Sequence, residues 1–202
     1  MKKTTDFLLT VVILLAVTMI TTLMPTEKDA AIYEDTLRLH ILANSDKDDD
    51  QRLKYEIRDK LLGKYGKSLS VSGTPEEAKE EISAITDDIK NDVDLWIHEA
   101  GYEYESNVSL GIEWYDTREY DDFTLPKGYY TSLQVKLGDA EGKNWWCVMY
   151  PPLCLDVATE NAPGDDAIIS YSDEEYSLIT NDGYNVKFKL LEVFSEAFSK
   201  NG

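Results

Sequence analysis

Cys147 and Cys154 are the residues of this chain best suited to covalent chemistry, and they are its only cysteines. If the chain is exported, an even cysteine count favours a disulfide between them. The bond would close an eight-residue loop, for which the chain-entropy estimate gives about 2.5 kcal/mol of stabilisation. The alternative is a pair of buried thiols beside Trp145 and Trp146 that act as small hydrophobic groups. We expect the disulfide.

Three aspartates at odd spacing, Asp46, Asp48 and Asp50, resemble the start of a calcium-binding loop. The rest of that pattern fails, because Gln51 stands where the loop requires glycine and Ile57 where it requires a bidentate glutamate. Carboxylates at this position suit the positive end of a helix dipole. We therefore expect these residues to mark the start of a helix and not a metal site.

His40 and Cys147 are the best available pair of base and nucleophile. No glycine-rich elbow, second histidine or plausible orienting acid accompanies them in the sequence. His98 lies near the end of a predicted helix and suits its carbonyl end. Two cysteines and two distant histidines also lack the paired spacing of a zinc site. The sequence predicts no enzymatic activity, no cofactor and no bound metal.

The N-terminus has the pattern of an export signal. Lys2 and Lys3 precede an uncharged stretch from Phe7 to Met24, as a positive region precedes an apolar one in signal peptides. As a helix those residues would span about 27 Å, barely the thickness of a hydrocarbon core. Residues 1–24 are therefore predicted to be a signal peptide or a membrane anchor, with the remaining chain outside the cytoplasm.

The composition predicts one acidic globular domain after that segment. The chain has 202 residues, is 43% hydrophobic and carries a formal net charge of −19. A surface of that charge repels nucleic acid and anionic lipid headgroups, so neither is an expected direct ligand. We expect contact with the membrane only through the N-terminal segment.

Hydrophobic periodicity predicts a strand at residues 35–43, where Leu37, Leu39 and Ile41 alternate with Arg38 and His40. A helix should follow and bury one face, formed by Leu53, Ile57, Leu61 and Tyr65.

The expected limits of two helices are given by capping residues. Ser45 or Asp46 is a suitable cap for the first helix and Gly66 a suitable end. Thr74, followed by proline and then by glutamate at the third helical position, predicts the start of the second helix. Gly101 should end it.

Beyond Gly101 apolar residues recur at every second position, which is the hydrophobic period of a β-strand. Three strands are predicted, from Val108 to Trp114, from Leu133 to Leu137 and from Asn144 to Tyr150, and we expect them to pair antiparallel. A short helix near residues 173–179 and a longer one containing Leu191, Phe194 and Phe198 should close the chain. The predicted fold class is α+β, or mixed α/β, with a mostly antiparallel sheet packed by three to four helices. Residues 25–34 are predicted to be a linker and residues 35–200 a single domain.

Trp145 and Trp146 are adjacent on a predicted strand, so their side chains should point to opposite faces of the sheet. An outward tryptophan beside a Pro-Pro bend is typical of interface hot spots, and either residue is a candidate partner contact. The alternative is that helices cover both faces of the sheet.

Several sequence blocks together resemble the stage II sporulation protein R family of spore-forming bacteria. These are RLHILANSD (Arg38 to Asp46), DQRLKYEIRD (Asp50 to Asp59), LPKGYY (Leu125 to Tyr130), GKNWWCVMYPPLC (Gly142 to Cys154) and VKFKLLEVF (Val186 to Phe194). The tandem Trp-Trp-Cys followed by Pro-Pro-Leu-Cys is the most specific of them.

The resemblance implies a signalling protein and not a catalyst. Members of this family are made in the forespore and secreted into the space between forespore and mother cell, or tethered to the outer face of the forespore membrane. There they activate a membrane-embedded aspartic protease, which processes the sigma-E precursor in the mother cell. The alternative function from another class is an extracytoplasmic hydrolase or cell-envelope enzyme.

Overall fold

A computed structural model describes residues 2–23, 27–69, 73–120, 123–151, 176 and 179–180. Its helices are α1 (Lys2–Leu23), α2 (Glu27–Asp35), α3 (Asp48–Leu69) and α4 (Pro75–Glu99). Its strands are β1 (Leu37–Leu42), β2 (Ser106–Tyr115), β3 (Arg118–Glu119), β4 (Thr124–Leu125), β5 (Gly128–Leu137) and β6 (Asn144–Tyr150).

The main sheet has four strands in the order β2-β5-β1-β6. β2 pairs antiparallel with β5 and β1 antiparallel with β6, whereas β1 and β5 run parallel. β3 and β4 form a separate two-stranded sheet. The predicted α+β class with a mostly antiparallel sheet is confirmed.

The predicted neighbours of two strands were wrong, because β5 and β6 do not pair with each other. β1 lies between them and contacts both along its whole length. This short strand therefore occupies the centre of the sheet, and five of its six residues are buried there, including Arg38 and His40. The alternation of apolar and polar residues in β1 resembles that of a half-exposed strand, so the sequence did not indicate this central position.

One face of the sheet packs on α3 and α4 and forms the main core. Odd-numbered β1 residues, Cys147 and Met149 of β6, and the apolar stripes of both helices meet there. α3 continues past Gly66 to Leu69, so the predicted helix end was wrong. Gly66 is buried and the neighbouring Tyr65 hydroxyl donates to Asp92 of α4; contacts between the helices hold the helical conformation through a residue that often ends a helix.

The start of α3 also differs from the prediction. The helix begins at Asp48, and neither predicted cap occupies the position directly before it. Ser45 instead accepts a hydrogen bond from the Lys47 N–H at 3.2 Å. Asp46 accepts one from the Lys143 N–H at 2.8 Å, so both residues hold the preceding loop.

The limits of α4 follow the sequence prediction. Thr74 has extended backbone angles, and its hydroxyl accepts the Glu77 N–H at 3.2 Å. The Glu77 carboxylate in turn accepts the Gly73 N–H at 2.9 Å. After the helix Gly101 has φ of +88°, a conformation that favours glycine.

The opposite face of the sheet carries a second, smaller core cluster. Its buried members are Ile32, Tyr115, Leu125, Tyr130, Val148 and Ile179. Ile32 belongs to α2, which occupies most of the predicted linker 25–34, so part of that segment packs against the domain. Tyr176 and Ile179 are helical; the rest of the predicted closing helices lies outside the described residues.

α1 covers nearly all of the predicted signal or anchor segment, and its described apolar side chains from Phe7 to Val17 are exposed. None of the helices in the described part of the chain combines the length and the hydropathy that a membrane span requires. The signal or anchor role of residues 1–24 stays a prediction.

Candidate functional site

Two polar clusters surround β1, one on the second face of the sheet and one at the loop that follows the strand. The first contains Arg38 and His40, because even-numbered β1 side chains point away from α3 and α4. We call it the cation–aromatic cluster. It also contains Glu113 and Tyr115 of β2, and Trp146 of β6.

Arg38 is 0% exposed. Its guanidinium lies 3.9 Å from the ring centroid of Tyr115 and 5.0 Å from that of Tyr130, within the range of cation–π attraction. Nη2 donates to the Tyr120 hydroxyl at 2.9 Å. Nε and Nη1 are buried without a hydrogen-bond partner in the described part of the chain. Burial raises the pKa of Tyr115, whose hydroxyl pairs with Ser132 at 2.6 Å.

His40 is held by groups from β6, which is adjacent to β1, and from β2, which lies beyond β5. Its Nδ1 lies 2.9 and 3.0 Å from the two carboxylate oxygens of Glu113. Nε2 pairs with Asn144 Oδ1 at 2.9 Å, and the ring stacks on Trp146 at a centroid distance of 5.5 Å. Both ring nitrogens therefore have partners, and the orienting acid that the sequence did not reveal is Glu113.

The two tryptophans point to opposite faces, as the alternation predicts. Trp146 packs against the second core cluster and carries the Arg118 guanidinium 3.5 Å from its ring centroid. Trp145 packs against the main core, with Arg58 at 5.4 Å. Both rings are partly buried. Their predicted role as partner contacts stays a prediction.

The second cluster, which we call the loop cluster, is centred on Asp50. Its carboxylate accepts hydrogen bonds from Asn44 at 3.0 Å, from Tyr104 at 3.1 Å and from the Ser45 hydroxyl. Burial of Asp50 raises its pKa, but these hydrogen bonds outweigh burial and the net pKa is lowered. Asp50, one of the three aspartates whose spacing resembles a calcium-binding loop, therefore accepts the hydrogen bonds that close the loop between β1 and α3.

The same loop is bonded to the turn between β5 and β6. The Glu141 N–H donates to the Asn44 carbonyl at 3.1 Å and the Gly142 N–H to the Ala43 carbonyl at 2.9 Å. Lys54 is almost fully buried, and its ammonium donates to the Lys143 carbonyl at 3.0 Å. Burial lowers the pKa of Lys54. The RLHILANSD and GKNWW blocks thus contact each other directly.

Cys147 and His40 do not form a pair of nucleophile and base. In the register of β1 and β6, Cys147 lies opposite Leu39, while His40 lies opposite Trp146. The sulfur is buried in the main core and the imidazole is on the other face. Cys154 lies outside the described residues, so the disulfide stays a prediction. His98 is exposed on the last turn of α4, as its sequence position predicts.

Sequence reasoning missed Glu113 and Tyr115 as parts of the cation–aromatic cluster, and Arg118 and Tyr130 as residues that pack on Trp146 and Arg38. The one available signal was alternation, which puts Glu113 on the face opposite Ile112 and Trp114. Alternation does not give the order of the strands, and Glu113 reaches His40 only because β5 alone separates β2 from β1.

The fold and these clusters define a small α+β domain in which charged side chains hold strands and loops together. The family model described as stage II sporulation protein R matches residues 33–160. A curated relative, stage II sporulation protein R of Bacillus subtilis (strain 168), is 30% identical over 187 residues, which cover 83% of this chain and 84% of the relative. No solved structure matches.

The chain therefore belongs to the stage II sporulation protein R family. The resemblance noted in the sequence blocks is confirmed, and family membership supports a role in sporulation signalling.

Proposed function

We propose that this chain is an exported sporulation signal that activates a membrane-embedded aspartic protease, which then processes the sigma-E precursor in the mother cell. The observation that carries the proposal is the family match over residues 33–160. That range contains the whole four-stranded sheet, both core helices and both polar clusters.

The geometry supports a signalling role over a hydrolytic one. A general base must reach a nucleophile or a water, but Nε2 of His40 pairs with Asn144 and the ring is covered by Trp146. The carboxylates of Asp46 and Asp50 accept hydrogen bonds from the chain itself. In these positions the side chains maintain a fixed surface, which is what a protein ligand requires.

The apolar N-terminal segment supports the proposed location, the space between forespore and mother cell or the outer face of the forespore membrane. The acidic composition supports a protein partner over nucleic acid, because like charge repels phosphate.

The test is co-production of this chain with the protease and the sigma-E precursor in a heterologous host. We expect precursor cleavage only when all three are present. Cleavage by this chain without the protease would favour the hydrolase alternative, and unchanged cleavage without this chain would refute the signalling role.

The same assay tests the tryptophans. If Trp146→Ala or Trp145→Ala abolishes activation and leaves the melting temperature unchanged, that ring is a partner contact. If activation falls only in step with stability for both variants, the two residues act through the cores they pack against.

A further inference from the structure

One edge of the strand β2 pairs with no strand in the described part of the chain, and β2 also carries exposed apolar side chains. Ile112 is 69% exposed, Trp114 51% and Tyr129 of β5 64%. The Trp114 and Tyr129 rings meet edge to face at 5.0 Å. They share the face covered by α4 further along the sheet, where Val108 and Leu110 pack against the main core. We call the three residues the β2 surface.

A groove of about 620 Å³ lies beside this surface, lined by Tyr33, Glu34, Lys79, Ile112, Tyr129 and Thr131. Its wall is fixed by contacts among α2, α4 and β5. The Tyr33 hydroxyl donates to the Lys127 carbonyl at 3.2 Å and its ring lies against Gly128. The Lys79 ammonium donates to the Glu34 carbonyl at 2.6 Å. The groove is therefore built into the fold.

The edge of β2 that faces away from β5 supplies the second half of the site. All ten residues of β2 pair with β5 on one side, and no strand among the described residues pairs on the other. An unpaired edge accepts an extended peptide through main-chain hydrogen bonds, while alternate peptide side chains enter neighbouring pockets. Exposed tryptophan and tyrosine are the residue types enriched at such contacts.

The net charge of the chain indicates which kind of ligand would bind in the groove. The chain carries a net charge of −19, which opposes docking of a second copy or of anionic lipid. Lys79, the basic residue lining the groove, is bonded to the Glu34 carbonyl and lies 3.8 Å from the Glu76 carboxylate. An apolar segment with basic flanks is therefore the complementary ligand.

We propose that the β2 surface and the groove bind an extended apolar segment of a partner protein, flanked by lysine or arginine, which pairs with β2 as an added strand. The inference rests on the proposed function, since the partner would be the activated protease. Three residues separate α1 from α2, which lines the groove. A chain attached to a membrane through α1 would hold the groove close to that membrane and to an embedded partner.

The test uses the full chain in the host that contains the protease and the precursor. Ile112→Arg and Trp114→Ala should each reduce both protease binding in isolated membranes and precursor cleavage by roughly tenfold or more, with an unchanged melting temperature. Leu95→Arg is the matched control, because Leu95 is an exposed apolar residue on α4 outside the groove. It should retain wild-type activity.

A photo-crosslinking residue at position 112, compared with one at position 95, identifies the occupant. We expect position 112 to capture an apolar protease segment with basic flanks and position 95 to capture none. Wild-type cleavage with no effect of either variant would overturn the inference and leave the proposed function intact. Absence of wild-type stimulation would refute both. Binding to protease-free phosphatidylcholine vesicles that Ile112→Arg removes, or a dimer that it dissociates, would assign the surface to lipid or a second copy and overturn the inference.

Discussion

Buried charged side chains distinguish this domain at the scale of single residues. Arg38, Lys54 and Asp50 are all buried, although burial of a charge is costly unless hydrogen bonds or opposite charges compensate it. Asp50 has three donors from side chains and Lys54 has carbonyl acceptors, whereas Arg38 relies mainly on aromatic rings. Removal of a partner from these clusters should therefore destabilise the protein more than removal of an exposed charge.

Asp50→Asn should lower the free energy of unfolding at neutral pH by about 1 to 3 kcal/mol, because the new amide group faces existing donors. The folded pKa of Asp50 is lowered, so its contribution is complete above the unfolded pKa near 3.9 and is lost as pH falls through the folded pKa. Urea unfolding at pH 7 and pH 3 should show the difference between wild type and variant shrinking in acid. Asp48→Asn, an exposed change, is the control; equal effects of both variants would contradict the assignment.

His40→Leu should destabilise the fold by roughly 1 to 3 kcal/mol, because Glu113 and Asn144 lose their shared partner. His98→Leu, at an exposed position on α4, should change stability by less than about 0.5 kcal/mol. Denaturant melts of the two variants provide the comparison. A large loss for His98→Leu with none for His40→Leu would argue against the cation–aromatic cluster.

The cysteine pair makes a third prediction at this scale. We expect Cys147 and Cys154 to resist thiol labelling in denatured, unreduced protein and to react after reduction. Cys147→Ser should lower the melting temperature and reduce signalling through the loss of folded protein. Two labelled thiols before reduction would mean that the bond does not form.

At the scale of elements, the loops that connect the strands make close contacts with each other. The turn between β5 and β6 approaches the loop after β1 so closely that a methyl group on Gly142 would collide with the Ser45 carbonyl. This contact fixes β6 against one side of β1 while β5 occupies the other. A glycine in the GKNWW block is therefore required by a close approach of two backbones.

Gly142→Ala should destabilise the protein by about 1 to 3 kcal/mol, because the backbone of one loop must move. Gly63→Ala is the matched control, since Gly63 lies in α3 with open space around its Cα. That change should stabilise the protein by up to about 1 kcal/mol through higher helix propensity. Thermal melts of both variants would reveal the opposite signs; two shifts of the same sign would count against the predicted close approach.

At the scale of the whole molecule, the helices α1 and α2 differ in how they pack against the domain. Of the described residues, none in α1 belongs to either core cluster, whereas Ile32 of α2 is fully buried. Removal of residues 1–23 should therefore leave the free energy of unfolding within about 0.5 kcal/mol of the full chain. Removal of residues 1–36 should cost at least about 2 kcal/mol, because burial of Ile32 is lost. Calorimetry in detergent would compare them; equal melting temperatures for the two truncations would contradict this division.

Sequence alone determined the features that depend on residues near one another in the chain. The Thr74 cap, the Gly101 end and the limits of β6 follow from local hydrogen bonding and backbone preference. The opposite orientations of Trp145 and Trp146 follow from the pleat of a strand. The sequence blocks that resemble the family, of which the one from Gly142 to Cys154 is the most specific, were together sufficient to indicate it.

Only the tertiary structure decided which strands are neighbours. A period of two fixes the two faces within a strand but contains no information about the strand beside it. The insertion of β1 between β5 and β6 therefore could not be predicted, nor could the burial of Arg38 and His40 that follows from it. The same holds for Glu113, which becomes the partner of His40 only because β2, β5 and β1 are adjacent in that order. The positions of these charges depend on contacts between residues far apart in the sequence, and those contacts exist only after the sheet has formed.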